Sequence, residues 1–406
     1  MKRIWLRTLC LLLALCCLPP AAFGEEEDWY QDMLAASHLS LGNNLRLKRV
    51  IEQARAGEEI TIAVIGGSVT EGAGAKQYKE CWAYRTAAGF RQRYGVGDGA
   101  HIRLVNGAVS GTDSVFGLMR YQRDVLDKVK DPDGLPDLVI IEYAVNDGQE
   151  PTRHQAYESL VKQVLDQPNH PAVILLFAVF DGGYTLQNEL RRVGAAYDLM
   201  MVSIRDSAYR QIGTRWTSKE FFSDSWHPTS LGHGVMADCI LSAIEAAEAQ
   251  PTAEADITTD VKPAFGTGYM GIRTIYASEE HPELALSRGG FNQDDKKVYR
   301  NNNTGRVCGT NFAHSTGGPD EPLTFTATFS KLLVAWRVCD KKNYGKAEVV
   351  VDGRVVRTLG AGSGDWGQPL ETLCYNNSVS AEHQVEIRMA GDTSLPFTIV
   401  CISYVP

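Results

Sequence analysis

A serine hydroxyl is a poor nucleophile at neutral pH unless a neighbouring base takes its proton, and a histidine aimed by a carboxylate can be that base. The chain holds both parts in separate places. Ser68 ends Val64-Ile65-Gly66-Gly67-Ser68, where an apolar run stops at two glycines. Asp224-Ser225-Trp226-His227-Pro228 sets a carboxylate three residues before an imidazole. Pro228 keeps His227 out of helical geometry, so a compact turn can bring the two side chains together. Acyl transfer also needs donors for the charge that develops on a carbonyl oxygen. Gly111, in Asn106-Gly107-Ala108-Val109-Ser110-Gly111, and Asn146, in Glu142-Tyr143-Ala144-Val145-Asn146-Asp147, follow two further apolar runs. They offer a backbone N–H and a side-chain amide. Taken singly each segment has a plainer reading, a glycine turn with a serine helix cap at 66–68 and a surface turn at 224–228.

Other chemistries fit less well. Gly67 and Gly72 have the separation of a phosphate loop, but Ala73-Gly74 stands where Lys-Ser/Thr is required. Asp224, His227 and His233 could ligate a metal, yet the chain has no CxxC pair and no HExxH. Neither a metal nor a cofactor is expected. Past the first 24 residues the cysteines are Cys81, Cys239, Cys308, Cys339, Cys374 and Cys401. The last four allow three complete disulfide pairings, and buried free thiols are the alternative.

The elements that must position these residues alternate in kind. Leu45, Leu47, Val50, Ile51 and Ala54 fit one helix face, and 60–65 is a continuous β-branched run. Further apolar runs lie at 102–105, 138–141, 172–177 and 199–202, separated by helical patterns near 115–130, 155–166 and 188–197, with a last helix at 230–248. Strands that are apolar on both faces and spaced by helices predict a parallel sheet covered on both sides, an α/β three-layer sandwich. Ligands of such sheets bind at the carboxyl ends of the strands, where Ser68, Gly111 and Asn146 fall.

The remaining segments set the domain plan. Lys2, Arg3 and Arg7, an apolar run at 9–18 and Ala22-Phe23-Gly24 read as a secretory signal peptide over 1–24, with a lipid anchor at Cys16 disfavoured by Leu15. The chain is therefore expected outside the cytoplasm. No later run approaches the roughly 20 apolar residues of a membrane span. The catalytic domain is placed at 25–250, and a polar, Pro-containing linker at 251–262. From 263 to 406 the helical period disappears. Alternating segments at 323–329, 332–338, 347–351 and 383–389, with an Asp352-Gly353 hairpin signal and glycines at 360–364, predict a jelly-roll-like β-sandwich. Of the 406 residues 44% are hydrophobic and 22% charged, which excludes a disordered or coiled-coil chain. The net charge of −9 becomes −12 when the three cations of the leader are removed. No basic face appears, so nucleic acid is not an expected partner.

In its Ser, Gly, Asn and DxxH blocks, taken in this order over residues 60–240, the chain resembles the SGNH or GDSL hydrolases, whose sheet is flavodoxin-like. The resemblance implies Ser68 as nucleophile, Asp224 and His227 as its relay, and Ser68, Gly111 and Asn146 as oxyanion-hole donors. Gly67 stands where the GDS signature has Asp and Ala144 where GxND has Gly, so altered loop geometry with retained chemistry is expected. Secreted relatives with a β-sandwich include carbohydrate acetylesterases. The expected activity is removal of O-acetyl groups from an acylated carbohydrate through an acyl-enzyme. A lipase or general short-chain acyl esterase, a polysaccharide O-acetyltransferase and a noncatalytic carbohydrate-binding protein are the alternatives. Trp336, Tyr344, Trp366 and Tyr375 are candidate sugar-stacking faces, with sandwich core the plainer reading of each, and Trp82, Tyr84 and Trp226 either wall an acyl or sugar pocket or pack in the core. The sequence leaves the sugar and the oligomeric state open.

Overall fold

A computed structural model describes residues 25–301, 305–306, 308–360 and 367–406. The expected leader at 1–24 with Cys16, and the candidate aromatic Trp366, lie outside the described residues. The chain runs α1 (Glu25–Ala36), β1 (His38–Ser40), α2 (Leu45–Ala56), β2 (Ile60–Gly66), α3 (Ser68–Glu71), α4 (Trp82–Tyr94), β3 (Ile102–Asn106) and α5 (Ser114–Asp124). It continues through β4 (Leu138–Glu142), α6 (Gln155–Leu165), β5 (Ala172–Phe177), α7 (Gln187–Ala196), β6 (Met200–Ser203), α8 (Ser218–Phe221) and α9 (Ser230–Ala249). The strands form one sheet in the order β1-β6-β5-β4-β2-β3, parallel except for the edge strand β1.

Alternate residues of each strand feed two apolar layers, as a sheet covered on both faces requires. Ile60, Ile62, Val64, Ile140 and Ile174 pack with α2, α4 and α9. Ala63, Ile65, Val139, Ile141 and Leu175 pack with α5, α6 and α7. The chain leaves β2 for β3 on one side and returns to β4 on the other. The carboxyl end of β2 is thus flanked by two other strand ends, the place where open α/β sheets bind ligands.

After α9 the segment at 251–262 has no helix or strand, yet it is tied down. Arg46 pairs with Asp256 at 2.7 Å, and Asn44 bonds both Pro251 O and Ala253 N. The second domain carries β7 (Arg273–Ile275), the short ribbon β8 (Arg300–Asn301) and β9 (Gly305–Arg306), and β10 (Phe312–His314). Its longer strands are β11 (Leu323–Arg337), β12 (Lys346–Val351), β13 (Arg354–Leu359), β14 (Pro369–Ala390) and β15 (Phe397–Val405). Apart from the β8–β9 ribbon they form one antiparallel sheet that closes over an apolar interior. The Asp352-Gly353 turn has φ of 51° and 76°, a two-residue hairpin in which both central residues are left-handed.

The two expected strands at 323–329 and 332–338 are one strand, β11, with a register shift between Phe329 and Lys331. Leu332, Val334 and Trp336 point into the sandwich, whereas Leu333 and Ala335 join Val115, Phe116 and Met119 of α5 in a core shared by both domains. Among the described residues Cys81, Cys239, Cys308, Cys339, Cys374 and Cys401 are all buried free thiols. No helix among the described residues is long and apolar enough to cross a membrane.

Candidate active site

The Ser68 turn and the His227 loop meet across the carboxyl end of β2. Gly66 ends the strand, Gly67 makes the turn, and Ser68 opens the single-turn α3, which left-handed Gly72 stops at once. The other loop is pinched shut before α9 by Ser223 N donating to His227 O at 2.8 Å and Thr229 N donating to Phe221 O at 2.8 Å. Within it, Asp224 Oδ1 accepts the N–H groups of Trp226 and His227 at 2.7 and 2.8 Å. This local turn leaves Oδ2 for the His227 ring, whose Nδ1 lies at 2.8 Å. The opposite ring nitrogen, Nε2, lies 3.0 Å from Ser68 Oγ. Partial burial opposes ionisation of Asp224, but the bonds to the His227 ring and the two N–H groups outweigh it and hold the carboxyl below its usual range. The His227 side chain is 22% exposed, open enough to meet a ligand. A hydroxyl, an imidazole and an ionised carboxylate in hydrogen-bonded sequence can activate the hydroxyl for attack on a carbonyl.

Gly111 and Asn146 occupy the two neighbouring strand ends. Gly111, at φ 70°, lies in the β3–α5 loop, and Asn146 follows β4. No hydrogen bond engages the Asn146 Nδ2 among the described residues, so its donor is available. The glycine that departs from the signature has a steric cause: a Cβ on Gly67 would sit 2.5 Å from Asn146 Oδ1 and 2.7 Å from its Cγ and Nδ2. The other departure, Ala144, is fully buried in the shared core, and its carbonyl accepts Leu186 N at 2.7 Å.

Residues 64–235, which include every residue named above, match the GDSL-like Lipase/Acylhydrolase family. The chain is a carboxylic ester hydrolase. No curated protein sequence matches the chain. Among solved structures it is similar over both domains to a two-domain esterase (CEX) active on acetylated mannans. The likeness is 25% identity at a TM-score of 0.77, covering 91% of this chain and 98% of that one. The same esterase co-crystallised with mannopentaose gives 25% identity and a TM-score of 0.76, with 91% and 97% covered.

Several features of the hydrolase site were not read from the sequence. Glu71, the last residue of α3, accepts both Ser110 N (2.8 Å) and Ser110 Oγ (2.5 Å), so it ties the serine turn to the Gly111 loop. Glu142, at the end of β4, is fully buried, and burial pushes its carboxyl up to about 7 against the opposing pull of Thr70 Oγ1, at 3.0 Å, and the Ala144 backbone N–H. Neither acid belongs to a spacing pattern that would single it out. Tyr184 is 45% exposed, with its hydroxyl over Gly148, two residues past Asn146. Trp226, by contrast, is one of the pocket-wall candidates of the sequence; it is 56% exposed and stands beside the His227 ring at a centroid distance of 6.5 Å.

The other candidate aromatics among the described residues take the core reading. Trp82 is fully buried in the helix-covered core, and Trp336 and Tyr344 fill the sandwich interior, so apolar burial and not sugar contact accounts for them. Tyr84 and Tyr375 are partly buried against those cores. His233 faces away from the Asp224–His227 pair: its ring bonds Ala73 O at 3.0 Å and Trp82 N at 3.3 Å, and burial lowers it to about 4.

Proposed function

We propose that the chain is an exported serine esterase that removes O-acetyl groups from a carbohydrate polymer, with an acetylated mannan as leading substrate. The observation that carries the chemistry is the continuous relay from Asp224 Oδ2 through the His227 ring to Ser68 Oγ. His227 Nε2 takes the Ser68 proton as Oγ attacks the acetyl carbonyl. The N–H groups of Ser68 and Gly111 and the Asn146 amide receive the oxyanion. Asp224, ionised at neutral pH, steadies the imidazolium that forms. Collapse expels the sugar hydroxyl, which takes the proton from His227. Water then attacks the acetyl-enzyme by the same route and releases acetate, with no metal or cofactor in any step.

The substrate class rests on the likeness to the acetylated-mannan esterase over both domains. Exposed Trp226 beside the relay and exposed Tyr184 over Gly148 support it, since flat apolar rings suit sugar faces. The leader-like residues 1–24 agree with a polymer met outside the cell.

Acetate release from acetylated mannan, acetylated xylan and p-nitrophenyl acetate, measured for wild type and Ser68→Ala, tests this reading. Release from mannan faster than from xylan, abolished in Ser68→Ala, is expected. Release that survives Ser68→Ala would remove the serine from the mechanism. Hydrolysis of the small ester alone would move the substrate away from these polymers.

A further inference from the structure

The loop that carries Gly111 is held from two directions by the second domain. Tyr299 Oη donates to the Glu71 carboxylate, at 2.8 Å from Oε1 and 2.7 Å from Oε2, and Glu71 in turn accepts the Ser110 N–H. Gln368 Nε2 donates to the Gly111 carbonyl at 2.5 Å. The two anchors fix the peptide planes on either side of the one that contains the Gly111 N–H. That plane is then set without any contact to the N–H itself, which stays free for a ligand.

Tyr299 and Gln368 also form one unit. Tyr299 N donates to Gly367 O at 2.8 Å, and Val338 N donates to Gln368 O at 2.8 Å, which roots both segments in the sandwich. Gly367 is left-handed at φ 87°, and a Cβ there would collide with the Lys297 carbonyl. A third contact lies just behind. Asp113, which caps α5 through Val115 N and Phe116 N, neighbours the buried Glu371 of β14, and burial together with that neighbouring acid pushes the Glu371 carboxyl up.

We propose that the sandwich domain is part of the catalytic apparatus, with Gln368 and Tyr299 as positioning residues that act through Gly111 and Glu71 to aim the Gly111 N–H at the developing oxyanion. The proposal rests on the serine-esterase reading above. It differs from a carbohydrate-binding role because it applies to substrates with no sugar.

Full-length Gln368→Ala and Tyr299→Phe are compared with wild type on p-nitrophenyl acetate, with exposed Leu370→Ala, two residues past Gln368 at the start of β14, as control. A whole donor is worth about 10² to 10³ in kcat, so each positioning variant is expected to lose roughly tenfold in kcat, with KM and Tm nearly unchanged. The Gly367→Ala variant should combine the two losses. Hydrogen–deuterium exchange gives a readout independent of turnover: amides at 107–112 should exchange faster in both variants and not in the control. A raised KM at unchanged kcat would overturn the proposal in favour of substrate contact, as would unaltered kcat and exchange. If wild type itself hydrolyses no ester, the esterase reading fails on that result alone; faster exchange then keeps the positioning, and unchanged exchange removes it.

Discussion

Gly67 illustrates how a departure from a family signature can be read at the level of one atom. Its φ of −90° is open to any residue, so the requirement is space and not backbone freedom. A methyl group there would meet the whole amide of Asn146. Gly67→Ala should therefore push Asn146 aside and lower kcat on a small ester by about 10²-fold, much as Asn146→Ala would. The double variant should be little worse than either single one, because both remove the same donor. Full activity in Gly67→Ala would show that the Asn146 amide is not needed at its present place. The five residues proposed for chemistry were legible because each directly follows an apolar run or sits in a tight loop before the last helix. Glu71, Tyr299 and Gln368 were not. Their partners lie 39, 228 and 257 residues away in the chain, and local pattern carries no trace of such pairings.

At the scale of elements, the ends of β2 and β4 converge on a buried acid. Burial of Glu142 outweighs the bond that its Oε2 accepts from Thr70 in α3, so the carboxyl is held protonated up to about pH 7. In the unfolded chain it would ionise near its ordinary value of 4.5. Between those values the folded state binds the extra proton, so stability is fully present below pH 4.5 and declines as pH rises to 7. The decline attributable to this group is on the order of 3 kcal/mol. Urea unfolding of wild type and Glu142→Gln at pH 5 and pH 8 should show the variant gaining relative to wild type at the higher pH. Parallel behaviour at both values would mean that Glu142 does not titrate in that window.

The parallel strands β2, β4, β5 and β6 were recovered nearly residue for residue because burial on both faces leaves an uninterrupted apolar run. The same property hid β15. It is buried along its whole length between the sandwich interior and the hydrolase domain, so it lacks the alternation by which its neighbours were read. The edge strand β1, only three residues long, has no pattern to read.

For the whole molecule the decisive fact is the shared core. Leu333 and Ala335 of β11, Val400, Cys401 and Val405 of β15, and Tyr269 and Tyr276 pack in one cluster with Val115, Phe116 and Met119 of α5. Polar ties run along the same seam, where Thr274 Oγ1 and Tyr276 Oη both donate to Met119 O, at 2.6 and 2.9 Å. The connecting segment is fastened too, since the N–H groups of Ala264, Phe265 and Gly266 converge on the Glu158 carboxylate. A flexibly tethered module would show none of this. Separation would expose apolar surface on both partners, at roughly 25 cal/mol for each Å², and would strip Glu158 of the N–H groups of Ala264, Phe265 and Gly266, leaving it Tyr197 Oη. The two domains should accordingly unfold together. Calorimetry of the full chain is expected to give one transition, and Leu333→Asp should lower that single transition without splitting it. Two resolved transitions in wild type, one lost when residues 263–406 are deleted and the other unmoved, would instead mark the sandwich as an independent module and limit the seam to passive contact.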